Sequence, residues 1–149
     1  MPIVRRTCTL ATVLFFLAAS AFAVSPVNSN WRGVAIHGYD PVAYFTDQKA
    51  VEGSSDVTFE WQGATWRFAT AEHRKLFAAE PGKYAPQYGG YCAFAVAKNS
   101  TADIEPEAFT LIDGKLYLNY DAKIQETWRK DTKGYIQKAD AFWPQMIRK

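Results

Sequence analysis

Residues 109–120, FTLIDGKLYLNY, place Asp113-Gly114 between two apolar runs. An Asp-Gly pair fits a type I′ turn, because both central residues of that turn need a positive φ, which glycine tolerates and aspartate accepts. The stretch therefore predicts a β-hairpin. A second hairpin is predicted over residues 57–69, VTFEWQGATWRFA, where apolar and polar residues alternate on both sides of Gln62-Gly63.

Helical signals lie between the hairpins and after them. Thr70 is a preferred N-cap residue ahead of a helix over residues 71–80, which Pro81 should end. Two closing helices are predicted from apolar residues at helical spacing, and Pro144 should end the second of them. Those residues are Ile124, Trp128, Tyr135, Ala139, Phe142 and Trp143. The sequence thus predicts a compact single α+β domain with two β-hairpins, a central helix and two C-terminal helices.

The first 23 residues have the layout of a secretory signal peptide. Arg5 and Arg6 precede an apolar run, and Ala21-Phe22-Ala23 forms an A-x-A processing pattern. We expect cleavage after residue 23, a short tether over residues 24–32, and a domain over residues 33–149 in the periplasm or outside the cell. The run is shorter than the roughly 20 residues of a membrane span, so no stable span should remain after cleavage. An uncleaved N-terminal anchor is the alternative, and the route, general secretion or twin-arginine export, stays open.

Removal of this leader changes the charge and the thiol content. The chain has 17 basic and 15 acidic residues, so loss of Arg5 and Arg6 leaves 15 of each sign. A net charge near zero gives no basic field to attract nucleic acid or an anionic membrane. Cys8 leaves with the leader, and Cys92 then has no partner for an internal disulfide. In an oxidising compartment such a thiol must be buried, bound or reactive.

Residues 87–94, QYGGYCAF, hold this cysteine and two tyrosines. Burial of Cys92 is favoured, because the string around it is apolar and free cysteine is among the most buried residue types. A helix beginning at Tyr91 would instead place the thiol near a helix N-terminus, where thiols ionise and act as ligands or nucleophiles. Tyr88 and Tyr91 flank the two glycines and are candidates to line a small-ligand pocket, with core packing as the alternative.

Metal binding is a further hypothesis. Cys92, His73, His37 and Asp40 form the one set of thiol, imidazole and carboxylate groups that we single out in the chain. Imidazole and thiolate ligands suit a transition metal such as Cu or Zn. The chain contains neither C-x-x-C nor H-x-x-x-H, so no local motif supports the site, and two solvated histidines are the alternative.

Three segments together resemble the YHS domain family: GYDPVAYF at 38–45, WRFATAEHRKLFAAEPGKY at 66–84 and APQYGGYCA at 85–93. The YHS pattern contains D-P-V-C, then F-C-S-x-x-C-x-x-x-F and P-x-x-Y. The matching positions are Asp40, Pro41, Val42, Phe68, Phe77, Pro81 and Tyr84. The cysteines that serve as presumed metal ligands in YHS domains fall at Ala43, Ala69 and His73, so the resemblance does not carry over an intact soft-metal site.

These observations predict an exported, YHS-like protein that binds a metal ion or a small ligand in the cell envelope. Binding is favoured over turnover, because the resemblance is to a family tied to metal proteins. One alternative is a cysteine-dependent enzyme or redox protein using Cys92, which needs a base within hydrogen-bond reach of the sulfur. The other is a structural or interaction module with no active site.

Overall fold

The computed structural model describes residues 23–148. The strands are β1 (Ser54–Trp61), β2 (Ala64–Phe68), β3 (Glu105–Ile112) and β4 (Lys115–Asn119). The helices are α1 (Ala43–Thr46), α2 (Ala71–Ala79), α3 (Pro81–Tyr84), α4 (Ala93–Val96), α5 (Ala122–Arg129) and α6 (Thr132–Met146). The predicted α+β fold with two hairpins, a helix between them and C-terminal helices is confirmed. The signal-peptide prediction falls on residues 1–23, almost wholly outside the described part.

Both hairpins form two-stranded antiparallel sheets with tight turns. β1 pairs with β2 and β3 pairs with β4. The φ angles are 51° at Asp113 and 73° at Gly114, and 49° at Gln62 and 75° at Gly63. Positive φ at both central residues is the requirement of a type I′ turn, so the turn predicted at Asp113-Gly114 is confirmed.

The first hairpin packs against α2 through aromatic rings. Phe77 on α2 is fully buried. Its ring centroid lies 6.1 Å from that of Phe59, 5.7 Å from Trp61, 5.2 Å from Trp66 and 5.2 Å from Phe68. Tilted and edge-on ring pairs at these separations each contribute about 0.5–1.5 kcal/mol beyond the burial of apolar area. Thr70 caps α2 as predicted, its hydroxyl accepting from the backbone N–H of His73 at 3.1 Å.

The second hairpin packs against the C-terminal helices. Trp128 on α5 is fully buried, and its ring centroid lies 5.2 Å from that of Tyr117 on β4. Val96 on α4 and Ala139 on α6 are also fully buried in this cluster. Among the helices formed by residues 23–148, none has the length and apolar content required to cross a membrane.

The two prolines that were expected to end helices differ in outcome. α2 ends at Ala79, before Pro81 as predicted, and Pro81 begins α3, where its missing N–H is one of the unpaired donors of a first helical turn. Pro144 lies inside α6, which continues to Met146. Proline there removes only one bond close to the helix end, and the exposed last turn can offer the freed carbonyl to water. Glu105 and Glu107 lie in β3 with exposed side chains.

The segment predicted as a tether, residues 24–32, packs against the domain. The backbone N–H of Val24 donates to the carbonyl of Met146 at 2.9 Å. Val27 is 2% exposed, and Ser29 forms a β-bridge with Ala35. These contacts make the segment part of the packed structure between residues 23 and 148.

Candidate functional site

Two turns hold predicted site residues in a backbone conformation that is rare outside glycine. Residues 36–38 have φ angles of 39°, 59° and 78°, and residues 88–90 have 57°, 61° and 83°. Ile36 is an outlier, because a β-branched side chain crowds the backbone at positive φ. Such strain costs on the order of 1–3 kcal/mol per residue and persists only where the surrounding structure fixes it. We call these the left-handed turns; they carry His37 and Tyr88.

Asn28 joins the two left-handed turns. Its backbone N–H donates to the carbonyl of Gly89 at 2.9 Å, and its own carbonyl accepts from Ile36 at 3.0 Å. Its side-chain amide donates to the carbonyl of Gly90 at 3.2 Å. A Cβ atom on Gly90 would lie 2.5 Å from Cγ2 of Ile36, so only glycine allows this approach. These contacts with residues distant in sequence hold both turns in their left-handed conformation.

His37 lies beside Asp103 at the surface. Its Nε2 is 2.8 Å from Oδ1 of Asp103, and the two side chains are 45% and 57% exposed. Burial raises the pKa of Asp103, but hydrogen bonds from Asn28, His37 and the N–H of Ile104 outweigh it and hold the pKa below its ordinary value. The pair borders a cavity of about 220 Å³ that Ser29 and Asn30 also line.

Asp40 and His73 form a separate, buried pair. Asp40 is fully buried. Its Oδ1 accepts from the N–H groups of Val42 at 2.9 Å and Ala43 at 3.2 Å. Its Oδ2 accepts from the N–H of Ala69 at 2.8 Å and lies 2.6 Å from Nδ1 of His73. One carboxylate thus connects the start of α1, the end of β2 and the first turn of α2.

The other ring nitrogen of His73 faces Thr46. Nε2 lies 3.2 Å from the Thr46 hydroxyl, and the His73 side chain is only 13% exposed, so this histidine is not solvated. The Thr46 hydroxyl also lies 3.3 Å from the carbonyl of Val42 and 3.0 Å from Oδ1 of Asp47. A hydroxyl has one proton to donate, and here three acceptors compete for it. The arrangement therefore fastens α1 to α2 and does not dedicate the hydroxyl to the imidazole as an activated nucleophile.

Cys92 is a buried thiol. It is 1% exposed, and its Sγ donates to Oδ1 of Asn119 at 3.6 Å. Burial raises the pKa of Cys92, which disfavours the thiolate needed for attack or metal binding. The helix after it, α4, begins at Ala93 and not at Tyr91 as expected. Asn119 is fully buried, and its Nδ2 has no hydrogen-bond partner among residues 23–148.

The four predicted metal ligands are not gathered at one point. Asp40 lies with His73, His37 lies with Asp103, and Cys92 contacts Asn119. Within the described part of the chain, no group of three or more His, Cys, Asp or Glu residues is placed to hold a metal ion. Structural zinc sites use four protein ligands and catalytic ones three, so the proposed set lacks this arrangement.

A different feature surrounds Tyr88. A cavity of about 490 Å³, which we call the aromatic cavity, is lined by Trp61, Trp66, Tyr88 and Trp143 together with Lys115 and Asp140. The Tyr88 hydroxyl donates to Oδ1 of Asp140 at 2.8 Å. Burial, with Asp140 beside it, raises the pKa of Tyr88, so this hydroxyl remains a donor. Tyr91 is not among the lining residues; its ring packs against Trp143 with centroids 5.9 Å apart.

Lys115 and Asp140 are charged groups that sequence reasoning missed. They line both the aromatic cavity and a second cavity of about 700 Å³ next to it. The ion pairs among residues 23–148 join only His37 to Asp103 and His73 to Asp40, so Lys115 and Asp140 are not paired with each other. No local motif marks either residue, because they are 25 positions apart on β4 and α6.

No protein-family model matches this chain, and the searches of curated proteins and of solved structures found no significant match.

Proposed function

We propose that this chain is an exported protein that binds a small organic ligand in the aromatic cavity and does not turn it over. The observation that carries the proposal is the cavity itself, a concave surface of about 490 Å³ with four aromatic residues and two opposite charges. Small-molecule sites combine apolar and aromatic walls with a few placed polar groups. The leader sequence supports a location in the cell envelope, and the YHS resemblance remains a hypothesis at the family level.

The lining of the cavity is held in place before any ligand arrives. Trp66 is 1% exposed and donates its indole N–H to the carbonyl of Trp61 at 3.1 Å. Tyr88 is fixed by its left-handed turn and by its bond to Asp140. Groups that are already ordered lose little conformational entropy on binding, so more of the contact energy contributes to affinity.

The competing hypotheses receive less support from the geometry. A transition-metal site needs ligands close together, and the predicted ligands lie in three separate places. A thiol enzyme needs an ionised sulfur with a base beside it, whereas Cys92 is buried, has a raised pKa and contacts an amide oxygen.

A thermal-shift screen tests the proposal. The protein, exported and purified without a His-tag, is heated with a library of small polar and aromatic compounds at about 1 mM each. A ligand present at ten times its Kd should stabilise the fold by about 1.4 kcal/mol, which corresponds to a shift in Tm of roughly 5 °C.

Two tryptophan variants make the result specific to the cavity. Trp143→Leu removes one wall, so it should abolish the shift produced by a hit. Trp31→Leu is the matched control, because Trp31 is 87% exposed and does not line the aromatic cavity. A shift that survives Trp143→Leu unchanged would place the ligand elsewhere, and copper or zinc retained at one ion per chain would favour the metal alternative.

A further inference from the structure

The charges at the aromatic cavity narrow the chemistry of its ligand. Lys115 and Asp140 line the same cavity, carry opposite charges and form no ion pair with each other. A ligand with a single charge would satisfy one of them and leave the other unused or repelled. The geometry points to a small zwitterion, with an alkylated ammonium at one end and a carboxylate or phosphate at the other. This inference rests on the proposed function and specifies its ligand class.

The aromatic walls favour a cation beside Asp140. Tyr88 lies next to Trp143, with ring centroids 6.2 Å apart, and Tyr88 also donates to Asp140. Cation–π attraction is strongest over tryptophan and is used to recognise quaternary ammonium groups. Only Oδ1 of Asp140 accepts from Tyr88, so the carboxylate adds its charge to the same end of the cavity.

Alkylation of the ammonium follows from the aromatic residues that lie beside Asp140. A primary ammonium carries three N–H donors, each of which needs an acceptor when it leaves water. The indole ring of Trp143 offers no acceptor, so an N–H turned towards it would lose its hydration, whereas Gln62, Gln87 and Asp140 supply acceptors elsewhere in the lining. A methylated ammonium has fewer donors or none, keeps the positive charge and presents apolar surface to the rings.

Lys115 defines the other end. It is the first residue of β4, directly after the Asp113-Gly114 turn, and its side chain is exposed. A lysine ammonium interacts as a point charge and accepts either a carboxylate or a phosphate. The adjoining cavity of about 700 Å³, which Lys115 also lines, leaves room for a substituent beyond the anionic group.

Isothermal titration with four named compounds tests the ligand class. Glycine betaine and phosphocholine carry both charges, tetramethylammonium carries only the cation, and 3,3-dimethylbutanoate has the shape of betaine without the positive charge. We expect at least one of the two zwitterions to bind, and to bind about ten-fold more tightly than 3,3-dimethylbutanoate, since that compound forfeits the cation–π contact.

Charge-removing variants assign each end. Lys115→Gln should weaken binding of the zwitterion about two- to five-fold and leave tetramethylammonium unchanged, as expected for one exposed charge pair. Asp140→Asn should weaken both, while its amide oxygen still accepts from Tyr88 and keeps the wall in place.

The outcomes separate the two proposals. Equal affinity for betaine and 3,3-dimethylbutanoate would overturn the zwitterion and leave ligand binding standing. The same conclusion follows if neither zwitterion binds while another compound of the screening library shifts the Tm of the wild type but not of Trp143→Leu. If no compound binds at all, both proposals fail together.

Discussion

Replacing Asp40 by asparagine should destabilise the fold strongly, although the two side chains have nearly the same shape. The Oδ1 side can keep its bonds, because an amide oxygen still accepts from Val42 and Ala43. The Oδ2 side becomes an NH₂ group that faces the N–H of Ala69 and the ring of His73. Donor then meets donor at Ala69, and the negative charge beside the imidazole is lost.

The magnitude follows from these partners. A hydrogen bond to a charged group contributes about 1.5–3 kcal/mol, and an orphaned buried donor costs about 1–3 kcal/mol. The NH₂ group of the introduced asparagine can still donate to Nδ1 of His73 if the imidazole changes tautomer. The variant therefore loses the bond from Ala69 completely and the bond with His73 in part. We expect Asp40→Asn to lower the free energy of unfolding by about 2–4 kcal/mol. For a domain of this size that is a fall in Tm of about 10 °C.

Variants of His73 provide the matched comparison. His73→Ala removes the contact with Asp40 and the contact with Thr46 together, and should cost about 2 kcal/mol. His73→Asn places an amide N–H near the position of Nδ1, so it can keep the Asp40 bond while losing the Thr46 contact. We expect His73→Asn to be the milder of the two.

Urea unfolding at pH 7 measures all of these variants and the double variant Asp40→Asn/His73→Ala. Residues in direct contact show interaction energies of about 0.5–3 kcal/mol in such a cycle. The reasoning is refuted if the two single changes add to within about 0.5 kcal/mol, or if Asp40→Asn alone costs less than that.

Three further predictions concern other parts of the fold. Gly114→Val should lower the free energy of unfolding by roughly 1 kcal/mol or more; a Cβ at Gly114 meets no atom within 4 Å, so the cost comes from backbone strain at φ 73°. Gly82→Ala is the control, because Gly82 is also in open space but has no positive φ. A Gly114→Val variant that melts at the temperature of the wild type would contradict the turn. Cys92→Ala should lower the free energy of unfolding by on the order of 1 kcal/mol, and Cys92→Ser by more, because serine buries a hydroxyl. The thiol of the folded protein should react slowly with a thiol reagent at pH 7, and fast labelling would disprove burial. Because its pKa is lowered on folding, Asp103 contributes stability that is present above the ordinary aspartate pKa of about 3.9 and is lost as pH falls through the lowered value. Asn28→Ala should therefore destabilise more at pH 7 than at pH 2 in urea unfolding; a pH-independent difference would count against this linkage.

The elements of the fold were predictable where their signals are local. Asp113-Gly114 specifies its turn by the φ angles it tolerates, the alternation on both sides of Gln62-Gly63 specifies the other hairpin, and Thr70 caps α2 through a bond three residues away. The prediction failed at Pro144, because the effect of proline depends on how close the helix end lies.

The candidate site was only partly predictable, because its contacts join distant positions. Tyr88 was a candidate ligand-binding residue, but its partner Asp140 lies 52 positions away and belongs to no motif. A solvated His73 was the alternative to a metal ligand, and this side chain is covered because Asp40, 33 positions earlier, holds its ring. Residue types alone suggested one metal cluster, whereas packing distributes the same residues over three places.

The hydrogen bond between Val24 and Met146 makes the domain suitable for circular permutation. The N–H of one and the carbonyl of the other are 2.9 Å apart, so the two ends of the packed structure adjoin. A linker of a few residues would join them without moving either. Residues 98–101 are exposed and follow α4, which makes them suitable for new termini. Such a circular permutant retains both hairpins, Asn28 between its left-handed turns, and the aromatic cavity.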